Sequence, residues 1–170
     1  MRTLILVRHA KSSWDETSLP DRDRPLAARG ERDLAKMGKR LAERAPRLEL
    51  ILCTPALRAR RTAEGLARAL GYPCQDIRID ERLYACRPED LLAVLAEHGA
   101  GRKRVMLVGH NPELLELAQR FAGQIERLPT CAVAELRFDC QSWADIGSRR
   151  AEKVRLDYPK KGAKGAAAPQ

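Results

Sequence analysis

The sequence predicts an α/β fold, a three-layer α/β/α sandwich with a mainly parallel central sheet. Short apolar runs alternate along the chain with longer stretches in which apolar residues recur at helical spacing. This alternation is typical of parallel strands whose two faces are covered by helices. A chain of 170 residues forms one ordinary domain, which we expect to span residues 1–158. Residues 159–170 are rich in Ala, Gly, Lys and Pro without periodicity, and we expect a disordered basic tail there.

The first strand is predicted in the apolar run that starts at Thr3 and delivers Arg8 and His9 to its carboxyl end. A polar surface loop from Lys11 to Pro25 follows it. The later elements, in chain order, are predicted as a helix over 28–45, a strand over 48–53, a helix over 54–70, a strand over 75–80, a helix over 88–98, a strand over 104–109, a helix over 111–121 and strands over 132–138 and 152–158. Each predicted helix has one apolar face that packs against a sheet.

Capping residues indicate where several helices begin and end. Thr54 and Pro55 suit the N-cap and first-turn positions of the second helix, and Gly71 suits its carboxyl end. Asn111 and Pro112 suit the N-cap and first-turn positions of the helix that follows the strand over 104–109. The sequence therefore predicts that two helices begin directly beyond the carboxyl ends of two strands.

Composition indicates a protein of the cytoplasm. The chain has no apolar run near the ~20 residues of a membrane span, and its start lacks the apolar core of a signal peptide. Its five cysteines are scattered and odd in number, without a C-x-x-C pair, as expected for reduced thiols. We therefore expect a cytoplasmic protein that does not act in a membrane, and we favour a monomer.

The net charge of +9, from 32 Lys and Arg against 23 Asp and Glu, raises nucleic acid as a partner. The basic residues are, however, spread along the chain and mixed with acidic ones. Aromatic residues make up only 4% of the chain, so platforms for base stacking are scarce. This distribution disfavours nucleic acid as the partner.

Four side chains suited to phosphate chemistry are predicted to meet at one edge of the sheet. Arg8 and His9 leave the first strand, Arg58 lies in the first turn of the second helix, and His110 follows the strand over 104–109. The carboxyl ends of parallel strands share one edge, where ligands bind. Guanidinium groups and helix N-termini bind phosphate oxygens, and a neutral imidazole is a nucleophile, so the group is suited to phosphoryl transfer.

Each of these residues also has an ordinary structural interpretation. An Arg-His pair can solvate a strand end, and His110 can cap a helix. Arg58 can belong with Arg60 and Arg61 to a solvated basic face. A zinc site is the rival interpretation of paired histidines, but neighbouring arginines repel a cation and no Cys or Asp ligand spacing accompanies the histidines. We therefore predict neither a metal nor a cofactor.

Four segments resemble the signature of the histidine phosphatase superfamily, which includes the cofactor-dependent phosphoglycerate mutases. They are RHAKSSW at 8–14, which resembles R-H-G-x-S/T-x-W, PLAARG at 25–30, TPALRARRTA at 54–63 and VGHN at 108–111. They occur in the family's order, and the size of the chain and its RHAKSSW variant resemble the small SixA-type phosphohistidine phosphatases more than the mutases. The resemblance implies a phosphoglycerate mutase-like fold.

Carried onto the matching positions, the resemblance implies a role for each of the four residues. His9 is expected to be the nucleophile that becomes phosphorylated. Arg8, Arg58 and His110 are expected to bind and neutralise the phosphoryl oxygens. A metal ion is not required in that scheme.

The sequence leaves the roles of two carboxylates open. Glu81 matches the E-R-x-Y stretch in which family members place a general acid, and its alternative is a surface carboxylate paired with Arg82 or Arg78. Asp15 stands where mutases often carry an asparagine beside the phosphate. A carboxylate there would repel the substrate unless it points away or is protonated.

Residues and resemblance together predict a metal-independent hydrolase that acts through a phosphohistidine intermediate, with phosphohistidine on a protein as its substrate. The loop over 81–87 is short, so the chain has little material for a lid. An open pocket suits a phosphoryl group on a protruding side chain. Two alternatives stay open: a phosphatase of a small phosphorylated metabolite, and a phosphate- or nucleic-acid-binding protein without turnover.

Overall fold

The computed structural model of the protein describes residues 1–162. The strands are β1 (Arg2–Arg8), β2 (Leu50–Cys53), β3 (Arg78–Ile79), β4 (Arg104–Gly109), β5 (Val133–Phe138) and β6 (Lys153–Asp157). The helices are α1 (Ala28–Arg44), α2 (Leu57–Leu70), α3 (Pro88–His98) and α4 (Glu113–Phe121). Short 3₁₀ helices lie at Asp21–Asp23, Cys74–Asp76, Glu81–Leu83 and Trp143–Ser148. The predicted tail, from residue 159, lies outside the described residues beyond its first four positions.

The six strands form one sheet in the order β3-β2-β4-β1-β5-β6. β3, β2, β4 and β1 pair in parallel, whereas β5 runs antiparallel to both of its neighbours. The mainly parallel sheet that the sequence predicts is therefore confirmed. β1 and β4 lie side by side, with Arg8 opposite Gly109, so the residues that follow these two strands emerge together.

Helices cover both faces of the sheet and complete the three predicted layers. Leu4 and Leu6 of β1 join the core beneath α3 and α4, while Ile5 and Val7 join the core beneath α1 and α2. All four side chains are fully buried, and each contributes about 1.5–3 kcal/mol by leaving water. The continuous apolar run of β1 thus reflects a strand with no solvent-facing side. Within residues 1–162, none of the helices is both long and apolar enough to cross a membrane.

The strand predicted over 75–80 is much shorter in the structure. Only Arg78–Ile79 pairs with β2, and Cys74–Asp76 forms a 3₁₀ helix instead. Both residues of this strand are exposed because it lies at the edge of the sheet. An edge strand buries few side chains, so hydrophobic periodicity marks it weakly.

Two helices begin later than their apparent capping residues predict. α2 begins at Leu57 and not at Thr54, whose buried hydroxyl lies 3.1 Å from His110 Nε2. α4 likewise starts beyond Asn111, whose amide group donates to the Leu128 carbonyl at 3.0 Å. Both polar side chains make tertiary contacts at the carboxyl edge of the sheet, which local capping patterns cannot distinguish from helix caps.

The loop after β1 packs tightly against the start of α1. The Ser13 N–H donates to the Pro25 carbonyl at 2.8 Å, and the Ala27 N–H donates to the Lys11 carbonyl at 2.9 Å. Gly30 lies over the same Lys11 carbonyl, where a Cβ atom would come within 2.1 Å of the oxygen. Only glycine permits this approach. The segment that directly follows the Arg-His pair is therefore held by the backbone of α1.

Candidate active site

His9 lies directly beyond β1 and is held by both its backbone and its ring. Its backbone N–H donates to the Gly109 carbonyl at 3.1 Å. Its ring Nδ1 lies 2.8 Å from the Ala10 carbonyl oxygen. A carbonyl oxygen only accepts hydrogen bonds, so Nδ1 carries the proton and the lone pair is on Nε2. The backbone acceptor that a histidine nucleophile requires is therefore present.

The surroundings of His9 keep its ring neutral. Burial lowers the pKa of His9 to about 4, and the hydrogen bond to Ala10 acts in the opposite direction. The positive charges of Arg58, Arg8 and Arg24 lower this pKa further. At physiological pH the imidazole is therefore unprotonated at Nε2 and available to attack.

His110 follows β4 and faces His9, with the two ring centroids 5.2 Å apart. Its Nε2 lies 3.1 Å from Thr54 Oγ1, and its Nδ1 lies 3.5 Å from Arg58 Nη2. Burial lowers the pKa of His110 to about 3, and His9, once it is protonated, and Arg58 lower this pKa further. The structure thus brings two neutral imidazoles together at the ends of two adjacent strands.

Arg8 and Arg58 complete the group that the sequence places at this edge. Arg58, in the first turn of α2, is only 7% exposed, and Arg8 Nη1 donates to the Leu128 carbonyl at 3.0 Å. Each arginine has a buried Nε–H group that finds no hydrogen-bond partner within residues 1–162. The positive charges of both arginines act on His9, and guanidinium groups donate charge-assisted hydrogen bonds to oxyanions. Both arginines are therefore suited to hold a phosphoryl group.

Thr62 connects the loop after β1 to α2. Its fully buried hydroxyl accepts a hydrogen bond from the Ala10 N–H at 3.0 Å and donates to the Arg58 carbonyl at 2.8 Å. The hydroxyl thereby fixes the position of Ala10, whose carbonyl holds the His9 ring, relative to the first turn of α2. Thr62 lies in the segment over 54–63 that resembles the family signature, but its role could not be predicted because its partner Ala10 is distant along the chain.

The structure places Glu81 on the surface. Its side chain is 70% exposed, and its carboxylate pairs with Arg22 at 2.5 Å. This partner is neither Arg82 nor Arg78, the two that the sequence suggests, because Arg82 pairs with Asp80 at 2.7 Å. Glu81 is therefore an exposed carboxylate in an ion pair.

Asp21 is a site residue that sequence analysis does not single out. Its Oδ2 accepts hydrogen bonds from Tyr84 at 2.6 Å and from Arg58 Nη2 at 3.1 Å, and its Oδ1 accepts from Arg24 at 3.2 Å. The Tyr84 hydrogen bond, followed by those of Arg58 and Arg24, lowers the pKa of Asp21 to about 2. The charged run in which it lies is the only sequence signal. Asp15, the carboxylate that the sequence raises, is exposed in the same loop.

One group of side chains in the described part of the chain could hold a metal ion, and it consists of Asp80, Glu97 and His98. Neither His9 nor any other predicted site residue belongs to it. Arg82 donates to both carboxylates of the group, at 2.7 Å in the case of Asp80. A guanidinium therefore already satisfies the charges that a cation would need.

Two neutral histidines and two arginines lie together at the carboxyl edge of a mainly parallel sheet, a set of groups suited to phosphoryl transfer. Residues 4–91 match the family model of the histidine phosphatase superfamily (branch 1). The chain therefore belongs to the histidine phosphatase superfamily, as the resemblance of its sequence segments implies. Membership of this superfamily supports phosphatase activity.

Similar proteins include both uncharacterised relatives and solved structures. A chloroplast protein of Arabidopsis thaliana is 33% identical over 152 residues, 85% of this chain and 70% of the relative. A protein of Mycobacterium tuberculosis is 32% identical over 165 residues, 91% of this chain and 100% of the relative. The candidate phosphohistidine phosphatase SixA of Agrobacterium tumefaciens is 30% identical with a TM-score of 0.73, covering 79% of this chain and 90% of its own. Its counterpart from Nakamurella multipartitia is 25% identical with a TM-score of 0.74, covering 93% and 96%.

We expect His9 and His110 to titrate well below an ordinary histidine, whose pKa is about 6.5. Because burial favours the neutral ring, protonation requires the pH to fall to about 4 for His9 and about 3 for His110. Long-range proton–nitrogen NMR spectra of protein labelled with nitrogen-15 in histidine measure both values, and single His→Ala variants assign the signals. The nitrogen shifts should also show His9 protonated on Nδ1. Titration of either ring near pH 6.5 would contradict this account.

Proposed function

We propose that the protein is a metal-independent phosphatase that acts through a phosphohistidine intermediate on His9. The hydrogen bond between His9 Nδ1 and the Ala10 carbonyl carries this proposal, since it leaves the Nε2 lone pair free for attack. The low pKa of His9 keeps that lone pair available at neutral pH. Membership of the histidine phosphatase superfamily supports the same chemistry.

Arg8 and Arg58 hold the phosphoryl oxygens in this proposal. Their guanidinium groups act on the histidine pair and can offer charge-assisted hydrogen bonds to an oxyanion that binds beside it. His110 faces the nucleophile and becomes a donor when the negative charge of the phosphoryl group raises its pKa. These three side chains stabilise the charge on the equatorial oxygens, which is the main requirement of phosphoryl transfer.

The reaction proceeds in two balanced steps. In the first, the His9 Nε2 lone pair forms a bond to phosphorus, and the leaving group departs with the electron pair of its own bond to phosphorus and takes up a proton from solvent. In the second, water attacks phosphorus and the N–P bond returns its electron pair to His9. The protons of the water go to inorganic phosphate and to solvent, and the neutral imidazole is restored.

We infer that the substrate is phosphohistidine on a protein. The segment between β3 and α3 contains only one short 3₁₀ helix, Glu81–Leu83, and the residues around the site mouth at Asp21, Arg22 and Glu81 are exposed. An open mouth admits a phosphoryl group on a protruding side chain. The likeness to two SixA candidates at 30% and 25% identity supports the same substrate class.

A phosphohistidine substrate also agrees with the position of Glu81. Its carboxylate accepts a hydrogen bond from Arg22 and is largely exposed, so Glu81 has no part as a general acid in this proposal. A leaving imidazole takes up a proton on its own nitrogen and makes little demand on an enzymic acid. An alkoxide leaving group, as in a sugar phosphate, would depend on such an acid.

We also propose a cytoplasmic location. All five cysteines are free thiols, and three of them, Cys53, Cys131 and Cys140, are buried. Free thiols in this number are typical of a reducing compartment.

The first prediction from this mechanism concerns the covalent intermediate. After a brief reaction with phosphoramidate and an alkaline quench, mass spectrometry should locate the phosphoryl group on His9. His9→Ala should abolish both labelling and turnover, because no other group supplies the nucleophile. His98→Gln is the matched control, since His98 binds Asp80 outside the site and should retain both. A label on another residue, or loss of turnover in excess chelator, would refute the mechanism.

Arg58→Ala should lower kcat/KM by about 10²–10³, the usual effect of removing one preorganised oxyanion donor. Arg60→Ala provides the comparison, because Arg60 carries the same charge on the same helix but is exposed. We expect Arg60→Ala to change kcat/KM by less than about threefold, since exposed charges are screened. Equal losses of kcat/KM in the two variants, measured on an aryl phosphate, would mean that Arg58 acts only through the long-range electrostatic field of the protein.

The substrate class is tested by comparing kcat/KM on a phosphohistidine-containing protein with kcat/KM on a panel of sugar phosphates and phosphoglycerates. We expect the phosphohistidine protein to be the better substrate, because the open mouth and the absence of an enzymic acid both favour it. Faster turnover of one metabolite would assign the enzyme to that metabolite while leaving the His9 mechanism intact. Salt-sensitive nucleic-acid binding without turnover of any substrate would favour a binding protein instead.

A further inference from the structure

Asp21 occupies hydrogen-bonding positions of Arg58 next to the histidine pair. Its backbone carbonyl accepts from Arg58 Nη1 at 2.8 Å, and its Oδ2 accepts from Arg58 Nη2 at 3.1 Å. The same Nη2 lies 3.5 Å from His110 Nδ1. The Asp21 carboxylate therefore binds Arg58 through Nη2, the same nitrogen that lies near His110.

The donors around Asp21 are of the kind that a phosphoryl group recruits. Its Oδ1 accepts from Nε and Nη2 of Arg24 at 3.3 and 3.2 Å, and Tyr84 donates to Oδ2 at 2.6 Å. Arg24 is buried, and its charge acts on His9. One carboxylate thus receives hydrogen bonds from two arginines and a phenol, the donor set of an oxyanion site.

A phosphatase that holds phosphate with buried arginines has a problem of product release. Inorganic phosphate carries the same oxygens as the transferred group, so each donor that stabilises the reaction also retains the product. A fixed negative charge beside one of these arginines weakens phosphate binding by repulsion, and it also competes for the same N–H groups.

We propose that Asp21 is a built-in competitor of phosphate at Arg58, which binds the guanidinium through hydrogen bonds and weakens retention of the product. This inference rests on the proposed function and adds a positioning residue to it. Asp21 belongs to the exposed 3₁₀ helix Asp21–Asp23, which contains no buried residue. Its side chain can therefore move away from Arg58 without disturbing the core.

The test is the affinity for inorganic phosphate, measured by isothermal titration on the intact protein. Asp21→Asn keeps the shape of the side chain and one oxygen acceptor for Arg58 but removes the charge. We expect Asp21→Asn to bind phosphate about tenfold more tightly than the wild type, because one negative charge near the anion is lost. Phosphate should also inhibit turnover of an aryl phosphate more strongly in this variant. A side chain that only supported Arg58 would give weaker or unchanged phosphate binding when altered.

Asp23→Asn is the matched control, because Asp23 lies in the same exposed 3₁₀ helix and the substitution removes the same charge. We expect its phosphate affinity to stay within about twofold of the wild type, since solvent screens an exposed charge that does not contact the site. In an Arg58→Ala background, Asp21→Asn should no longer improve phosphate binding, because the guanidinium for which Asp21 and phosphate compete is absent.

The outcomes separate this inference from the function on which it rests. Equal phosphate affinity for the wild type and Asp21→Asn, or an equal gain in Asp23→Asn, would overturn the competition while leaving the phosphatase proposal intact. A gain that persists in full without Arg58 would also overturn it, since Asp21 would then act through the general field. A wild-type protein that neither binds phosphate nor hydrolyses an aryl phosphate would overturn the proposed function and this inference together.

Discussion

The hydrogen bond from His9 Nδ1 to the Ala10 carbonyl is the interaction on which the rest of the site depends. A histidine free to rotate and to exchange tautomers has no defined direction for its lone pair. The Ala10 N–H is in turn held by Thr62, whose hydroxyl also donates to the Arg58 carbonyl. One buried hydroxyl therefore fixes the position of His9 relative to Arg58. The chemistry assigned to His9 rests on this backbone arrangement as much as on the imidazole.

Charge is a second constraint on the site. Positive charge surrounds the buried histidines, whereas negative charge comes from an exposed segment. Burial beside arginines keeps His9 and His110 neutral, as the proposed mechanism requires. The same burial leaves the arginine charges with little solvent to screen them. A carboxylate buried among them would neutralise the site and exclude an anionic substrate. Asp21 supplies negative charge from an exposed segment, so it can balance Arg58 without being buried beside the histidines.

Sequence patterns predict β1 and β4 well because these central strands are buried on both faces. Their continuous apolar runs leave no other placement, and the residues that follow them are brought together as the sequence implies. The edge strand β3 and the starts of α2 and α4 are predicted less well. Thr54 and Asn111 have the character of helix caps but bind partners that lie far away along the chain. Asp21 contacts Arg58 across 37 residues, and its position depends on the path of a loop without periodicity.

The openness of the site and the chemistry proposed for it are linked through the segment between β3 and α3. In this segment Glu81 is hydrogen-bonded to Arg22 and Tyr84 to Asp21, so its polar groups bind the loop that follows β1. A longer segment could both cover a small substrate and present an acid to its leaving oxygen. With so few residues, the segment does neither. Under the proposed mechanism, the substrate makes both functions unnecessary. A phosphohistidine on a protein needs no cover, and its leaving imidazole nitrogen can take a proton from solvent.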